Sequence, residues 1–545
     1  MNLPSYTRTA IERFVVTAEQ MQQIEQRMFE AGMPVAALME KVSGRITQRF
    51  VEWFKGQALP GRKVGVLVGP GHNGGDALVV ARELHHLGYE ISIYQPIAKL
   101  KPLTQQQAQY VQRLGIPFVD SIEALAHCNG IIDGCFGFGL ERPIEGALAN
   151  AIEQLNEQNL PIFSIDVPSG IHTDTGEVMG CAVKASYTAC LGLWKRAFMQ
   201  AEALAYLGKS ELIDFDIPLT DIEAVLENVP QVQRIISEDA IAHLPLQRSP
   251  TAHKYTAGHL LLIAGSRKYA GAALLAGLGA MASGVGMLTI AVPDSIRLSL
   301  LPQLPGALLI GCEETESGAI LALPRDLDLT KYDAIALGPG LTTTVPDILN
   351  APFEAPRPLL LDADGLNILA REQLISSLKK RPSPTVLTPH LGEFKRLFPN
   401  IHANKTHANK PRATGESFLP GEMAWLAAQM TDAIVLLKGP RSAIAAHQNL
   451  WFNPDSTPAL ARGGSGDVLT GLMGGLMANA AQPKTWQDTP NRLTAAVLSA
   501  VWWHSQAAIY ASQDRTLLGV DPLQLAQALN PALQQAIASA ALKVE

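Results

Sequence analysis

The 545-residue chain carries 43 Lys and Arg against 50 Asp and Glu, a net charge of −7, and is 47% hydrophobic with 45 glycines. This balance excludes a disordered chain and leaves no basic footprint for nucleic acid or an anionic membrane surface. The length exceeds what one hydrophobic core supports, and two large α/β domains account for it.

The five cysteines (Cys128, Cys135, Cys181, Cys190 and Cys312) form no CxxC pair and no metal-ligand spacing with histidine. That usage is expected of reduced, buried residues in a cytoplasmic protein. The N-terminal MNLPSYTRTAIERF lacks the apolar run of a signal peptide. Between Lys268 and Asp294 lie 25 residues without a charge, but five glycines fall among them. The pattern there changes from small helical residues (270–284) to a strand (287–292), so a buried helix and strand are predicted, with no membrane span.

In chain order, Thr17-Ala-Glu-Gln20 has capping-box spacing, and Met21, Ile24, Met28 and Ala31 recur at helical intervals until Gly32 and Pro34. A second helix is predicted over 35–53, then a strand over 63–68. Directly after it come Gly69-Pro-Gly-His72-Asn73-Gly74-Gly75-Asp76 and a helix over 77–87. Strand, glycine turn, helix is a phosphate-cradling arrangement, although the spacing is neither GxGxxG nor a P-loop. Further strands over 90–94, 130–133, 161–166 and 187–191 predict a Rossmann-like parallel sheet, whose ligands sit beyond the carboxyl ends of the strands. Two of those ends carry Asp133, before a glycine loop, and Asp166, before Pro168-Ser169-Gly170. A strand-end aspartate is often only a turn residue. Three such ends in one sheet, the first bearing Asn73 and Asp76, point instead to a shared site.

Residues 210–218 read as a last strand, and 230–245 as a connecting stretch with a short helix. The domain boundary is therefore expected near residue 230, giving domains 1–230 and 231–545. No 20-to-50-residue repeat is visible, so the halves are different folds.

The second half repeats the logic with other motifs. A strand over 259–264 runs into a helix start at Gly271 and Ala272, where small residues admit either a flat ligand or close helix-to-sheet packing. Strand ends follow at Gly338-Pro-Gly340-Leu341, Asp362-Ala-Asp364-Gly365, Thr388-Pro-His390-Leu-Gly392-Glu393 and Lys438-Gly439-Pro440-Arg441-Ser442. The two cations of the last motif suit phosphate or ribose. Between Pro399 and Pro420 the polar sequence reads as a surface insertion, with His402 and His407 weak metal candidates. The chain is organised around Gly463-Gly464-Ser465-Gly466-Asp467-Val468, where glycines and a helix start direct N–H groups at one point and form an anion site. Asp467 there is placed to accept a proton from an attacking substrate hydroxyl, although the motif alone reads sooner as a glycine-rich turn with Asp467 an ordinary N-cap.

Over residues 15 to 225, HNGGD, IIDGCFGFGLERP and IDVPSG, together with Leu38-Met39-Glu40 and Gly44, resemble the YjeF N-terminal family, epimerases of hydrated nicotinamide cofactors. The resemblance implies that His72, Asn73, Gly74, Gly75 and Asp76, then Gly137, Phe138, Gly139, Leu140, Glu141, Arg142 and Pro143, and Asp166 line the hydrated cofactor. It also implies a potassium ion on Asn73, Asp133 and Ser169, oxygen ligands that suit a hard cation. Asp166 is the candidate for acid/base work. Over residues 240 to 535, AGSRKYAGAA, LGPGL, LDADGLN, LTPHLGEF, LLKGP and GGSGDVLTG resemble the ribokinase-like NAD(P)H-hydrate dehydratases. Here Ala272, Gly340, His390 and Asp467 would contact the hydrated cofactor, while Lys438, Gly439, Pro440, Arg441, Ser442 and Gly466 would bind the adenine nucleotide. His72, Ser465 and Leu391 depart from the commonest residues of these motifs.

The implied chemistry is one repair pathway for NADHX and NADPHX. The first site interconverts the R and S hydrates. At the second, Asp467 deprotonates the ring hydroxyl of the S epimer, the hydroxyl takes the terminal phosphoryl of ADP with Mg2+, and phosphate leaves as the double bond reforms. A homo-oligomer is expected from the family. A small-molecule kinase fused to a Rossmann-like binding domain is the competing enzyme reading, and it leaves the first half unexplained. A non-catalytic scaffold would have lost the acidic strand ends, which are all present.

Overall fold

The computed structural model describes residues 8–57, 61–227, 232–248, 250, 253–403, 418–482 and 489–541. The chain divides into two compact units, Met1–Val232 and Gln233–Glu545. Residue 230, where the boundary was expected, and His407 lie outside the described residues. His402 belongs to a short helix, Pro399–Ala403, at the start of the stretch expected as an insertion.

Unit 1 is built on seven strands: β1 (Lys63–Val68), β2 (Glu90–Tyr94), β3 (Phe118–Val119), β4 (Gly130–Gly134), β5 (Ile162–Ile165), β6 (Tyr187–Leu191) and β7 (Lys209–Ile213). Their order is β3-β2-β1-β4-β5-β6-β7, with every pair parallel. The apolar runs Val64–Val68 and Ile131–Ile132 are buried on both faces, as a helix-covered parallel sheet requires. Helix α1 (Ala18–Glu30) begins at the expected capping box, with Thr17 and Gln20 bonding reciprocally, and buries Met21, Ile24 and Met28. Helix α2 (Val35–Gly56) lays Phe50 and Phe54 against the sheet, where Phe163 and Tyr187 stack at 4.9 Å. Burying such side chains stabilises the unit by about 1.5–3 kcal/mol each.

The expected last strand, 210–218, is shorter, and the polar stretch after it folds as a helix over Leu219–Leu226. A larger difference concerns the glycine turn. Helix α3 (His72–His86) starts inside it, N-capped by Gly71, so His72-Asn-Gly-Gly-Asp76 is the first turn of a helix and not a loop before one. Gly74 serves chain packing: a Cβ there would fall 2.0 Å from the Gly69 carbonyl oxygen.

Unit 2 holds β8 (Val232–Arg234), β9 (His259–Ile263), β10 (Met287–Pro293), β11 (Leu308–Glu314), β12 (Ile320–Ala322), β13 (Ala334–Leu337), β14 (Leu359–Leu361), β15 (Thr385–Leu387), β16 (Ile434–Leu437), β17 (Ala443–Ala446) and β18 (Asn449–Phe452). Their order is β8-β18-β17-β16-β15-β14-β13-β9-β10-β11-β12. The central pairs from β16 to β11 are parallel, while β16–β17, β17–β18 and β11–β12 are antiparallel. Residues 232–234, expected within a connecting stretch, thus form an edge strand.

The uncharged stretch is helix α4 (Ala270–Ala282) followed by β10. Its glycines meet those of helix α7 (Ser465–Ala480): a Cβ on Gly471 would lie 1.7 Å from the Ala276 carbonyl oxygen, and one on Gly279 2.2 Å from that of Val468. The glycines permit contact between two helix backbones. No described helix is long and apolar enough to cross a membrane.

Candidate active sites

In unit 1 the carboxyl ends of β1, β4, β5 and β6 border a cavity of about 910 Å³. Of the first turn of α3, His72, Asn73 and Asp76 line it; Gly74 and Gly75 are buried against the protein. The whole loop Gly137, Phe138, Gly139, Leu140, Glu141, Arg142 and Pro143 lines it, as does Asp166. Gly137 is required there, since a Cβ would come 2.9 Å from Asp166 Oδ2 and 3.2 Å from the Asn73 side chain.

Asp166 leaves β5 in the left-handed region, with φ +69°, a conformation that costs energy for a residue with a Cβ. Its surroundings hold it there. The Phe138 N–H donates to Oδ2 at 2.8 Å and the Leu191 N–H to Oδ1 at 3.3 Å. Oδ1 also accepts from the ammonium of Lys195, a side chain with no exposure at all. Burial alone would lower the Lys195 pKa, but Asp166, Cys190 and Glu25 raise it above the ordinary lysine value. Lys195 was missed in the sequence, where its signal was the charged pair Lys195-Arg196 directly after the buried strand and Leu193-Trp194.

The same cluster acts on two more carboxyls. Burial pushes Glu25 up to about 7, with Lys195 pulling it down and Asp166 pushing it up. Asp76 is pushed well above the carboxylate range by burial, against one hydrogen bond from Ser43 at 3.3 Å. Burial also lowers the His72 imidazole, helped by Lys101.

Asp133 lies beneath the cavity and does not line it. Ser169 Oγ donates to its Oδ1 at 2.5 Å, and Ser164 Oγ and the Ser169 N–H donate to Oδ2 at 2.8 and 2.9 Å. Burial raises its pKa, and the groups acting against that are neutral donors. Ser169 also binds the loop after β4 through the Phe136 N–H at 2.8 Å, and Asn73 flanks the same loop at Gly134 and Gly137.

In unit 2, Gly464 caps α7 in a left-handed conformation, φ +99°, which places Asp467 at the third helical position, not at the cap. Below that first turn, Asp362 at the end of β14 accepts from Lys438 Nζ at 2.7 Å, Thr388 Oγ1 at 2.9 Å and Thr470 Oγ1 at 2.7 Å. Burial would raise Asp362, but Lys438 and the two hydroxyls hold it below its ordinary value. Lys438 is likewise lowered by burial and raised, net, by Asp362, Glu393 and Asp467. A Cβ on Gly466 would lie 3.5 Å from Lys438 Nζ, so this glycine brings the helix start over the ion pair. Asp467 itself is raised to about 7, by burial first and by Asp362 next, with Lys438 opposing.

The remaining assigned residues join this centre by backbone. His390 bridges Lys438 strand to strand, and its Nδ1 accepts from the N–H groups of Gly392 at 2.9 Å and Glu393 at 3.2 Å, capping helix α6 (Leu391–Leu397). Gly340, at φ +65°, packs against Ala272 and Tyr269, and the Thr342 N–H two residues on donates to Asp364 at 2.8 Å. Gly439 and Pro440 are exposed and Ser442 closes their turn, its Oγ accepting from the Gly439 N–H at 3.3 Å. Burial lowers the Arg441 guanidinium to about 10, with Asp455 opposing. Asp362 was read in its motif but not assigned; its role appears only with Lys438 and Thr470 in place.

A lysine–aspartate ion pair at the strand ends of each unit, with a carboxyl raised to about 7 beside it, is the equipment of an α/β enzyme with two acid/base sites. Family models match both units: that of the YjeF-related protein N-terminus over residues 25–197, and that of NAD(P)H-hydrate dehydratase over residues 260–531. The bifunctional NAD(P)H-hydrate repair enzyme Nnr of Synechocystis sp. is 52% identical over 96% of this chain and 95% of its own, and that of Thermosynechococcus vestitus 48% identical over 96% and 98%. A crystal structure of the ADP/ATP-dependent NAD(P)H-hydrate dehydratase from Bacillus subtilis, co-crystallised with ATP and Mg2+, matches 57% of this chain and 99% of its own at 31% identity, with a TM-score of 0.44. The chain belongs to the bifunctional NAD(P)H-hydrate repair enzymes.

Proposed function

We propose that unit 1 interconverts the R and S hydrates of NADH and NADPH and that unit 2 dehydrates the S form at the expense of ADP. The observation that carries this reading is a lysine–aspartate ion pair at the strand ends of each unit, made by Asp166 itself in unit 1 and standing beside Asp467 in unit 2, in a chain similar over nearly its whole length to the two-activity relatives.

In unit 2, Asp467 is the base. A carboxyl near 7 takes a proton from a hydroxyl at neutral pH far better than one at its ordinary value. Lys438, kept charged by Asp362, sits under the helix start where a phosphoryl group gathers negative charge. Lys438 to Ser442 and Gly466 hold the nucleotide, and Ala272, Gly340 and His390 the hydrated cofactor. Among the described residues no group of three or more His, Cys, Asp or Glu side chains forms a metal cage. Mg2+ suits such a site because it keeps several waters and rides on the nucleotide phosphates, whose charge it neutralises.

In unit 1, His72 to Asp76, Gly137 to Pro143 and Asp166 receive the hydrate, with Asp166 oriented by Lys195. A potassium ion would be held by Asn73, Asp133 and Ser169: the donors are hard oxygens, and Asp133 is a buried carboxylate among neutral hydrogen-bond donors. The five cysteines are buried and form no disulfide, which supports a cytoplasmic setting, and a homo-oligomer is the expected assembly.

The test is to supply the protein with mixed R and S hydrated NADPH and either ADP or ATP, and to follow recovery of reduced nicotinamide absorbance. Full recovery of both epimers with ADP is expected. Recovery of the S fraction alone removes the epimerase assignment, and a stable phosphorylated product with no recovery makes unit 2 a kinase.

A further inference from the structure

We propose that Glu25 is a second catalytic acid/base residue of unit 1, protonating the hydroxyl that leaves the hydrated ring while Asp166 receives the proton of the water that replaces it. The inference rests on the epimerase reading of that cavity.

Inverting a ring carbon that bears both nitrogen and hydroxyl needs two proton carriers. The C–O bond breaks as the ring nitrogen's lone pair forms a C=N bond, and the departing oxygen must take a proton to leave as water. Water then adds to the opposite face, the C–O bond reforms, and one proton must be removed. The sum is unchanged in atoms and charge, and the enzyme is reset when Asp166 gives its proton to solvent and solvent returns one to the donor. One carboxyl fixed on one side of the ring cannot serve both faces in the same turnover.

The cavity offers the second group. Glu25 lines it from α1, whereas Asp166 and Lys195 reach it from the strand ends, so the two carboxyls come from different elements. Asp166 has its oxygens bonded to the N–H groups of Phe138 and Leu191 and to Lys195, which fix its orientation at the cavity. Glu25 is only partly exposed and shares the field of Lys195, Asp166 and Asp76, the charged groups that face it from the other elements. Its position near 7 supplies both protonation states at neutral pH. Asp76, bonded to Ser43 at the start of α3, is more buried than Glu25 and is the poorer donor.

The experiment measures epimer interconversion by the full chain without nucleotide, following R and S hydrated NADPH over pH 5.5–9, with NADPH binding measured in parallel. For Glu25→Gln, kcat falls about 10²-fold or more with KM within about threefold, and the decline of kcat above about pH 7 disappears. Glu25→Asp recovers at least about tenfold over Gln and keeps the decline. Equal kcat and an unchanged pH profile in Glu25→Gln overturn the proposal, as does loss of NADPH binding together with turnover, which makes Glu25 structural. A wild-type chain that binds NADPH but never interconverts the epimers overturns the epimerase reading and this role with it.

Discussion

The two units solve the same electrostatic problem differently. In unit 1 the buried Lys195 is bonded to the proposed acid/base residue itself, Asp166. In unit 2 the half-buried Lys438 is bonded to a second aspartate, Asp362, and the proposed base Asp467 stands apart with its carboxyl raised to about 7. The difference teaches what each carboxylate is for. Asp166 is held in one orientation by its ion pair, and the carboxyl raised to about 7 nearby is Glu25; in unit 2 the raised carboxyl is Asp467 itself, with the Lys438–Asp362 pair beside it.

The largest expected effect is the separation of the activities. Asp467→Asn lowers dehydration by about 10²–10⁴-fold and spares epimerisation, and Asp166→Asn does the converse. Both rates can be read on one sample, and loss of both in either folded variant would break the two-site division.

Next come the ion pairs. Lys195→Met leaves a buried carboxylate without its cation, and Asp362→Asn leaves Lys438 without its anion. Each should cost about 3–5 kcal/mol in the denaturation of its own unit. Combining Lys195→Met with Asp166→Asn should be less destabilising than Lys195→Met alone; additive losses would mean that the pair is not coupled.

The comparison sharpens in pH. Dehydration kcat/KM should rise about tenfold per unit up to about pH 7 and then level, because Asp467 must be ionised to act. A profile flat from pH 5 to 8 would show that Asp467 is ionised throughout.

The smallest effect concerns stability. Because folding raises Asp467 from 3.8 to about 7, the fold favours its neutral form. That contribution is fully present below pH 3.8 and is lost as pH rises to about 7. Asp467→Asn should therefore melt a few degrees higher than wild type at pH 8 and at the same temperature at pH 4. A lower melting point at pH 8 would mean that the carboxylate is favourably bonded.

Much of this protein was legible in its residues alone. The two α/β halves, the strands that carry the motifs, the capping box at Thr17 and the gathering of motifs at strand ends all follow from contiguous patterns, because hydrophobic period, glycine turns and caps act over a few residues. The helix starts at His72, about five residues earlier than the pattern suggests, and at Ser465, two residues before Asp467, since glycines that look like loop can enter a first helical turn when packing pins them. What only the tertiary structure decided is which charge meets which. Lys195 finds Asp166 across 29 residues, Lys438 finds Asp362 across 76, and Thr470 finds Asp362 across 108. Glu25 takes its character from the burial of a helix face against distant strands. Protonation depends on desolvation and on neighbours within a few ångströms, and those are set by the packed fold, not by any local run of sequence.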